Sequence, residues 1–187
     1  MSYKSVFLFV FLGFTSSYSM AGVFAQGGLH FGGDTLATVQ FLSGPDESIE
    51  AGGLLSASLG YELDVSDILL FKASAGFKTD TIIASDIDAD FTRFPLTGMV
   101  FLKAENFHIG AGVTQHTNVE LSVDGFSGSA TAKFDDATGI IFEVDYLLNK
   151  HGYLGIKFTS IDYQLPGSSV DVDGSSIGVV LGLRFGK

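Results

Sequence analysis

The sequence predicts an all-β fold, an eight-stranded antiparallel up-and-down transmembrane β-barrel, and three observations carry the prediction. Apolar residues make up 46% of the 187-residue chain, yet past the N-terminal region they never run together for the roughly 18–20 positions a membrane helix needs. The composition sets Gly 24 and Phe 18 against Pro 3, which suits aromatic-rich strands better than helices. The apolar residues recur at every second position, the period of a strand. Lipid tolerates no unpaired backbone polar group, so only helices and closed barrels cross it. A membrane chain that offers strands alone must close its sheet.

The first element stands apart. Lys4, the apolar run at 6–14 and the small residues Ser19 and Ala21 form the pattern of a secretory signal peptide. Residues 1–21 are assigned to it and residues 22–187 to one barrel domain, with a cut after Ala25 as the rival. The run is too short for a membrane anchor. No linker, repeat or second domain interrupts the rest.

Eight alternating segments follow, at about 22–41, 49–63, 68–82, 91–103, 107–122, 130–147, 153–164 and 174–186. In the third, Phe71, Ala73, Ala75 and Phe77 alternate with Lys72, Ser74, Gly76 and Lys78. In the last, Ile177, Val179, Leu181, Leu183 and Phe185 share one face, and Gly178, Gly182 and Arg184 share the other. The connections differ in kind. DVSD (64–67), AEN (104–106) and LNKHG (148–152) are tight turns, whereas 42–48, 84–90, 123–129 and 165–174 are longer, acidic and rich in glycine or serine. Short turns at one end and longer loops at the other are the plan of a membrane barrel. The segments exceed the roughly 9–11 residues that cross a bilayer, so they are expected to project beyond it. The chain has no tryptophan, so an interface belt must come from Phe and Tyr. Phe31, Phe41, Tyr61, Phe77, Phe107, Tyr146, Tyr153, Phe158 and Phe185 are its candidates.

These segments, with RFPL at 93–96, GAGVTQHTN at 110–118, VDYLLN at 144–149 and the closing IGVVLGLRF, resemble a family of small proteobacterial outer-membrane β-barrel proteins. Its plan is that of the OmpA/OmpX-type eight-stranded barrels. The resemblance covers nearly all of residues 22–187 and implies the cell outer membrane as location. Its motifs are strand patterns, so they imply no activity. Such barrels usually close on an aromatic residue read by the assembly machinery; here Phe185 is followed by Gly186 and Lys187.

Alternation also sorts the polar residues. If the apolar face meets lipid, the other face lines the lumen. That face carries His30, Glu62, Lys72, Lys78, Arg93, His108, His116, Asn118, Glu120, Glu143, Asp145, Lys157 and Arg184. Glu50, Asp80 and Lys103 share the parity. Both signs of charge inside a narrow barrel are expected to pair, because an unpaired buried charge costs several kcal/mol.

Three sites are candidates for chemistry. His116 and Glu120 lie on one face of the fifth segment together with Asn118, a row that offers the base and carboxylate a hydrolase needs. Some eight-stranded barrels deacylate lipid A with a His-x-Ser motif. Here Asn118 stands at the serine position and offers no nucleophile, and Thr117 points the other way. His30 and Asp34 form a second His–carboxylate possibility. Asp86, Asp88 and Asp90 have the spacing of a calcium loop, but Phe91 and Thr97 occupy the positions where that loop needs glycine and glutamate.

The expected role is that of a non-enzymatic integral outer-membrane barrel, structural or engaged in surface interactions, with its lumen filled by side chains. The alternatives are a lipid A-modifying acyl hydrolase using His116, a narrow channel for ions or small solutes, and a soluble ligand-binding barrel. A formal net charge of −11 repels nucleic acid. Expected partners are membrane lipid and lipopolysaccharide, with the barrel-assembly machinery during insertion, and a monomer is expected. No motif calls for a cofactor.

Overall fold

A computed structural model describes residues 21–39, 47–83, 87–125, 128–168 and 171–186. The proposed signal peptide lies outside the described residues except for Ala21. In chain order the strands are β1 (Ala21–Phe31), β2 (Thr35–Val39), β3 (Glu47–Glu50), β4 (Leu55–Asp64), β5 (Leu69–Ile83), β6 (Ile87–Lys103), β7 (Phe107–Gly125), β8 (Gly128–Lys133), β9 (Ala137–Asn149), β10 (Gly152–Ser160), β11 (Asp162–Gln164), β12 (Asp171–Asp173) and β13 (Ser176–Phe185).

Eight of them close a barrel in the order β1, β4, β5, β6, β7, β9, β10, β13, every neighbour antiparallel. Pairing of β1 with β13, from Val23↔Phe185 to Phe31↔Ile177, closes the ring of eight strands. The other five strands sit at the loop end. There β2 pairs with β3, β11 with β12, and β8 extends the sheet beside β7.

Four expected segments are interrupted, among them the second, which divides into β3 and β4, and the seventh, which divides into β10 and β11. The first ends at Phe31 because Gly32 and Gly33 adopt φ of 115° and 90°, which turns the chain into the β2–β3 hairpin. The sixth divides into β8 and β9.

The wall is apolar outward and polar inward. Leu59 and Tyr61 are 66% and 70% exposed, whereas Glu62 and Asp145 are 0% exposed. A soluble barrel would have the reverse arrangement, so this inversion selects lipid as the solvent of the outer face. Aromatic residues mark both rims of the apolar band. Phe31, Phe77, Phe94 and Phe158 are exposed toward the loop end, and Tyr61, Phe107, Tyr146 and Phe185 toward the turn end. Phe77 packs edge-on against Phe94 at 5.4 Å between ring centroids, and Phe107 lies 5.1 Å from Tyr146. Phe41 lies outside the described residues. Tyr153 is a correction to the expected belt. It has the odd parity of Lys157, is fully buried, and lies opposite Gly182, where any side chain would overlap its ring.

Beyond the band the rule reverses. On β6 the outward side passes from Leu96 and Phe94 to Thr92, Asp90 and Asp88. Inside, Ile49, Ile82, Ala89, Phe91, Val119 and Phe134 gather with Ile161 and Tyr163 into an apolar cap. Three aromatic rings meet there, with Phe91 at 5.7 Å from both Phe134 and Tyr163. A bulge makes the change on β7. Thr92 pairs with Glu120 and Phe94 with Thr117, so Asn118 and Val119 together face one residue, Arg93. Asn118 takes a φ of 49°, a left-handed conformation that asparagine tolerates better than most residues.

Candidate functional site: the polar lumen

Between the cap and the turn end the interior is a stack of charged and hydrogen-bonded groups. Nearest the turns, Arg184 Nε lies 3.2 Å from Glu62 Oε2, and Arg184 Nη2 donates to His108 Nδ1 at 2.9 Å. Lys103 and Asp64 pair at 2.9 Å on the rim. In the middle, Lys72 Nζ meets Asp145 Oδ2 at 2.7 Å, and Lys157 Nζ meets Glu143 Oε2 at 2.8 Å. Gln26 donates to Glu143 Oε1 at 2.9 Å and to the Tyr153 hydroxyl at 3.1 Å, and its own carbonyl accepts from Lys157. The Lys72 ammonium also lies 4.1 Å from the centre of the Tyr153 ring and 4.3 Å from that of Phe101. Two cations and two carboxylates balance in this layer. That arrangement offsets their desolvation, which an unpaired member would bear alone.

The strands explain the placement. Lys72 and Glu62 are direct cross-strand partners, as are Lys157 and Glu143, and His108 and Asp145. Side chains opposite one another on a sheet stand close enough to interact. A shared inward parity thus becomes a three-dimensional network. Small residues on the same face, among them Gly155 and Gly182, leave room for it: a methyl at Gly155 would crowd Asp145, and one at Gly182 would overlap Tyr153.

The layer beneath the cap has a different character. His30 Nε2 shares a hydrogen bond with Ser56 Oγ at 2.8 Å, and Lys78 Nζ donates to Ser176 Oγ at 2.9 Å. His116 Nδ1 and the Tyr163 hydroxyl share one at 2.6 Å. Asp80 Oδ2 accepts from the Glu50 amide at 2.8 Å. The Arg93 guanidinium carbon stands 4.4 Å from the Phe91 ring centre and 5.8 Å from that of Tyr163. A cavity of about 40 Å³ lies below, lined by groups that include His30, Lys78, His116, Thr114 and Lys157.

The expected catalytic row does not assemble. His116 faces the lumen, but the bulge turns Asn118 outward, where it is exposed, and brings Val119 inward at 1% exposure. Glu120 leaves the lumen with Asn118 and pairs on the outer surface with Lys133 at 3.2 Å. Both residues correct the expected lumen face, and the cause is the one extra residue that reverses alternation above His116. Thr117 gives its hydroxyl to the Phe94 carbonyl. His30 is not joined to Asp34, whose Oδ2 accepts from the Asp173 amide at 2.9 Å. Of the calcium-spaced acids, Asp86 lies outside the described residues and Asp88 is exposed. Asp88 stands directly opposite Asp124 on β7. Among the described residues no three His, Cys, Asp or Glu side chains gather in a metal-binding group. Outside the lipid band, the Asp173 carboxyl is held below its ordinary value by hydrogen bonds from Ser175, whose amide donates to Oδ1 at 2.8 Å.

Tyr153 and Tyr163 are the lumen partners the sequence reading missed. Both have the odd parity of Lys157, which was already placed inside, so the same rule extended along β10 and β11 would have found them. Ser56 and Ser176 share the parity of Glu62 and Arg184, so alternation places them inside as well.

The model of the outer membrane protein beta-barrel domain matches residues 7–185. The chain belongs to this outer-membrane β-barrel family. Its location is therefore the cell outer membrane. No match is found among curated proteins. Among solved structures, Neisserial surface protein A is similar with a TM-score of 0.53 at 13% identity, over 91% of this chain and 100% of that one. Ail, the attachment invasion locus protein of Yersinia pestis, is similar with a TM-score of 0.51 at 11% identity, over 88% of this chain and 97% of that one. Ail has also been solved with the heparin analogue sucrose octasulfate, and that structure is similar at a TM-score of 0.50. At these identities the likeness is one of fold.

Proposed function

We propose that this protein is a closed, non-enzymatic barrel that holds acidic loops at the cell surface, with a structural or surface-interaction role. The observation that carries the reading is the filled interior. An apolar cap, a chamber of about 40 Å³ and a layer of paired charges follow one another along the barrel axis. Eight strands enclose an interior that side chains can fill. The long-loop end faces outward by the usual plan of such barrels, with lipopolysaccharide around it.

The surface role takes support from shape and charge. The strands at the loop end rise past the lipid band and carry Asp88, Asp90, Glu120 and Asp124 on their outer side. Ail was solved with a polysulfated ligand. The acidic rim here would repel such a polyanion, so a cationic surface, or divalent cations shared with lipopolysaccharide phosphates, fits better. Conductance across planar bilayers is the test. The purified barrel is expected to insert without producing current steps, while a Phe91→Ala/Tyr163→Ala variant, its cap thinned, is the positive comparison. Regular steps from the wild type would replace this reading with the narrow channel.

A further inference from the structure

We propose that the chamber beneath the cap binds one small monovalent anion of the chloride class, held between Lys78 and Arg93. The inference rests on the closed-barrel reading, since the cavity lies beneath the apolar cap.

The register puts the two cations together. Lys78 on β5 and Arg93 on β6 are direct cross-strand partners, and both point inward. Lys78 is 4% exposed and Arg93 is 0% exposed. Like charges directly opposite on a sheet repel, and burial removes the water that would screen them. Every other cation inside the barrel has a carboxylate: Lys72 has Asp145, Lys157 has Glu143, and Arg184 has Glu62. Among the described residues, no carboxylate oxygen lies within ion-pair distance of Lys78 or Arg93. Lys78 has a neutral hydroxyl, that of Ser176, and none of the three guanidinium nitrogens of Arg93 has a hydrogen-bond partner.

The acids close by are engaged elsewhere. Asp80 follows Lys78 on the same face, and its Oδ2 accepts from the Glu50 amide; Glu50 Oε2 accepts from the Gly32 amide. Above Arg93 the way is shut. Gly53, with φ of 70°, comes so near the guanidinium that a methyl there would collide with Nη2, and Phe91 covers the other side. Below, Pro95 and Thr97 continue the inward face of Arg93 along β6, and both line the cavity, as Lys78 does. The cavity's 40 Å³ exceeds the roughly 10–15 Å³ that one water requires. It therefore admits a single small anion with a water or two. The hydroxyl of Ser58 in the lining and the rings of His30 and His116 supply further donors. A bound anion would accept from the unpartnered guanidinium and add to the negative charge of Asp80, which makes no ion pair with either cation.

The test compares thermal unfolding of the purified protein in detergent micelles in sodium chloride and in sodium gluconate at equal ionic strength. Binding to the folded state alone raises stability with ligand concentration. The wild type is expected to melt higher in chloride, by about 3–5 °C for each tenfold gain in the folded-to-unfolded ratio. Lys78→Met and Arg93→Met are each expected to remove the difference. Equal melting in both salts would overturn the proposal, and so would a chloride effect that survives both substitutions. Crystals of the wild type soaked in bromide give a readout that needs no variant to fold. Anomalous density between Lys78 and Arg93 supports the site, and its absence there contradicts it.

Discussion

On β4, Leu55, Leu59, Tyr61 and Leu63 face outward while Glu62 is sealed inside; on β6, Asp88, Asp90 and Thr92 face outward while Ala89 and Phe91 are sealed inside. One closed sheet thus follows two opposite rules. Where lipid surrounds it, the outer face must be apolar, and the interior can hold charge only as a paired network. Where it rises into water, the outer face turns polar and the interior takes up the apolar packing of a soluble domain. The boundary is visible at Arg93 and Asn118. The surrounding solvent sets outward polarity rung by rung, and one β-bulge re-aims a strand that would otherwise carry its lipid-side alternation too far.

The two halves should break differently. Lys72→Met is expected to have the largest effect, because it strips both Asp145 and Glu143 of a cation in the middle layer. Removing one partner of a buried pair costs about 3–5 kcal/mol, to be read from urea unfolding of the barrel in lipid vesicles. Adding Asp145→Leu should recover part of the loss, since the leftover charge causes most of it. In the cap, Phe91→Ala should cost at most the roughly 3–5 kcal/mol of an emptied aromatic site. Its damage should stay local: hydrogen exchange is expected to speed up in β2, β3 and β11 while the lipid-embedded strands keep their protection.

At the boundary, Asn118→Val should cost about 1–3 kcal/mol, because a β-branched residue resists positive φ, whereas Asn118→Gly should be nearly neutral. The same unfolding assay reads both. The smallest effect belongs to Asp173. Its folded value is lowered, so its contribution is present above the unfolded carboxylate range and is lost as pH falls through the folded value. Wild type and Asp173→Asn should therefore differ slightly near neutral pH and converge in acid, as thermal melting across pH would show.

Much of this was legible in the alternation. Period two, the absence of a membrane helix and the contrast of turns with loops led to the strand number, the closure and the inward charges of β4, β5, β9 and β13. The site was legible only where alternation is uninterrupted. His108 and His116 lie where parity puts them, but Asn118 and Glu120 do not. A bulge is set by backbone conformation at one residue, and nothing in the run QHTNVE distinguishes it from a continuous strand. The cap was hidden for another reason. Ile49, Phe134 and Tyr163 come from three separate segments, and their meeting depends on how the hairpins fold over the barrel mouth.

The most direct test of the reversal uses the absence of native cysteine. Single cysteines at Val113, Val119 and Glu120 would be exposed to a water-soluble maleimide on intact cells. Rapid labelling at Glu120, with Val119 protected inside the cap and Val113 protected by lipid, is the predicted result. Labelling at Val119 with protection at Glu120 would mean that alternation runs straight through Asn118, and would contradict the account.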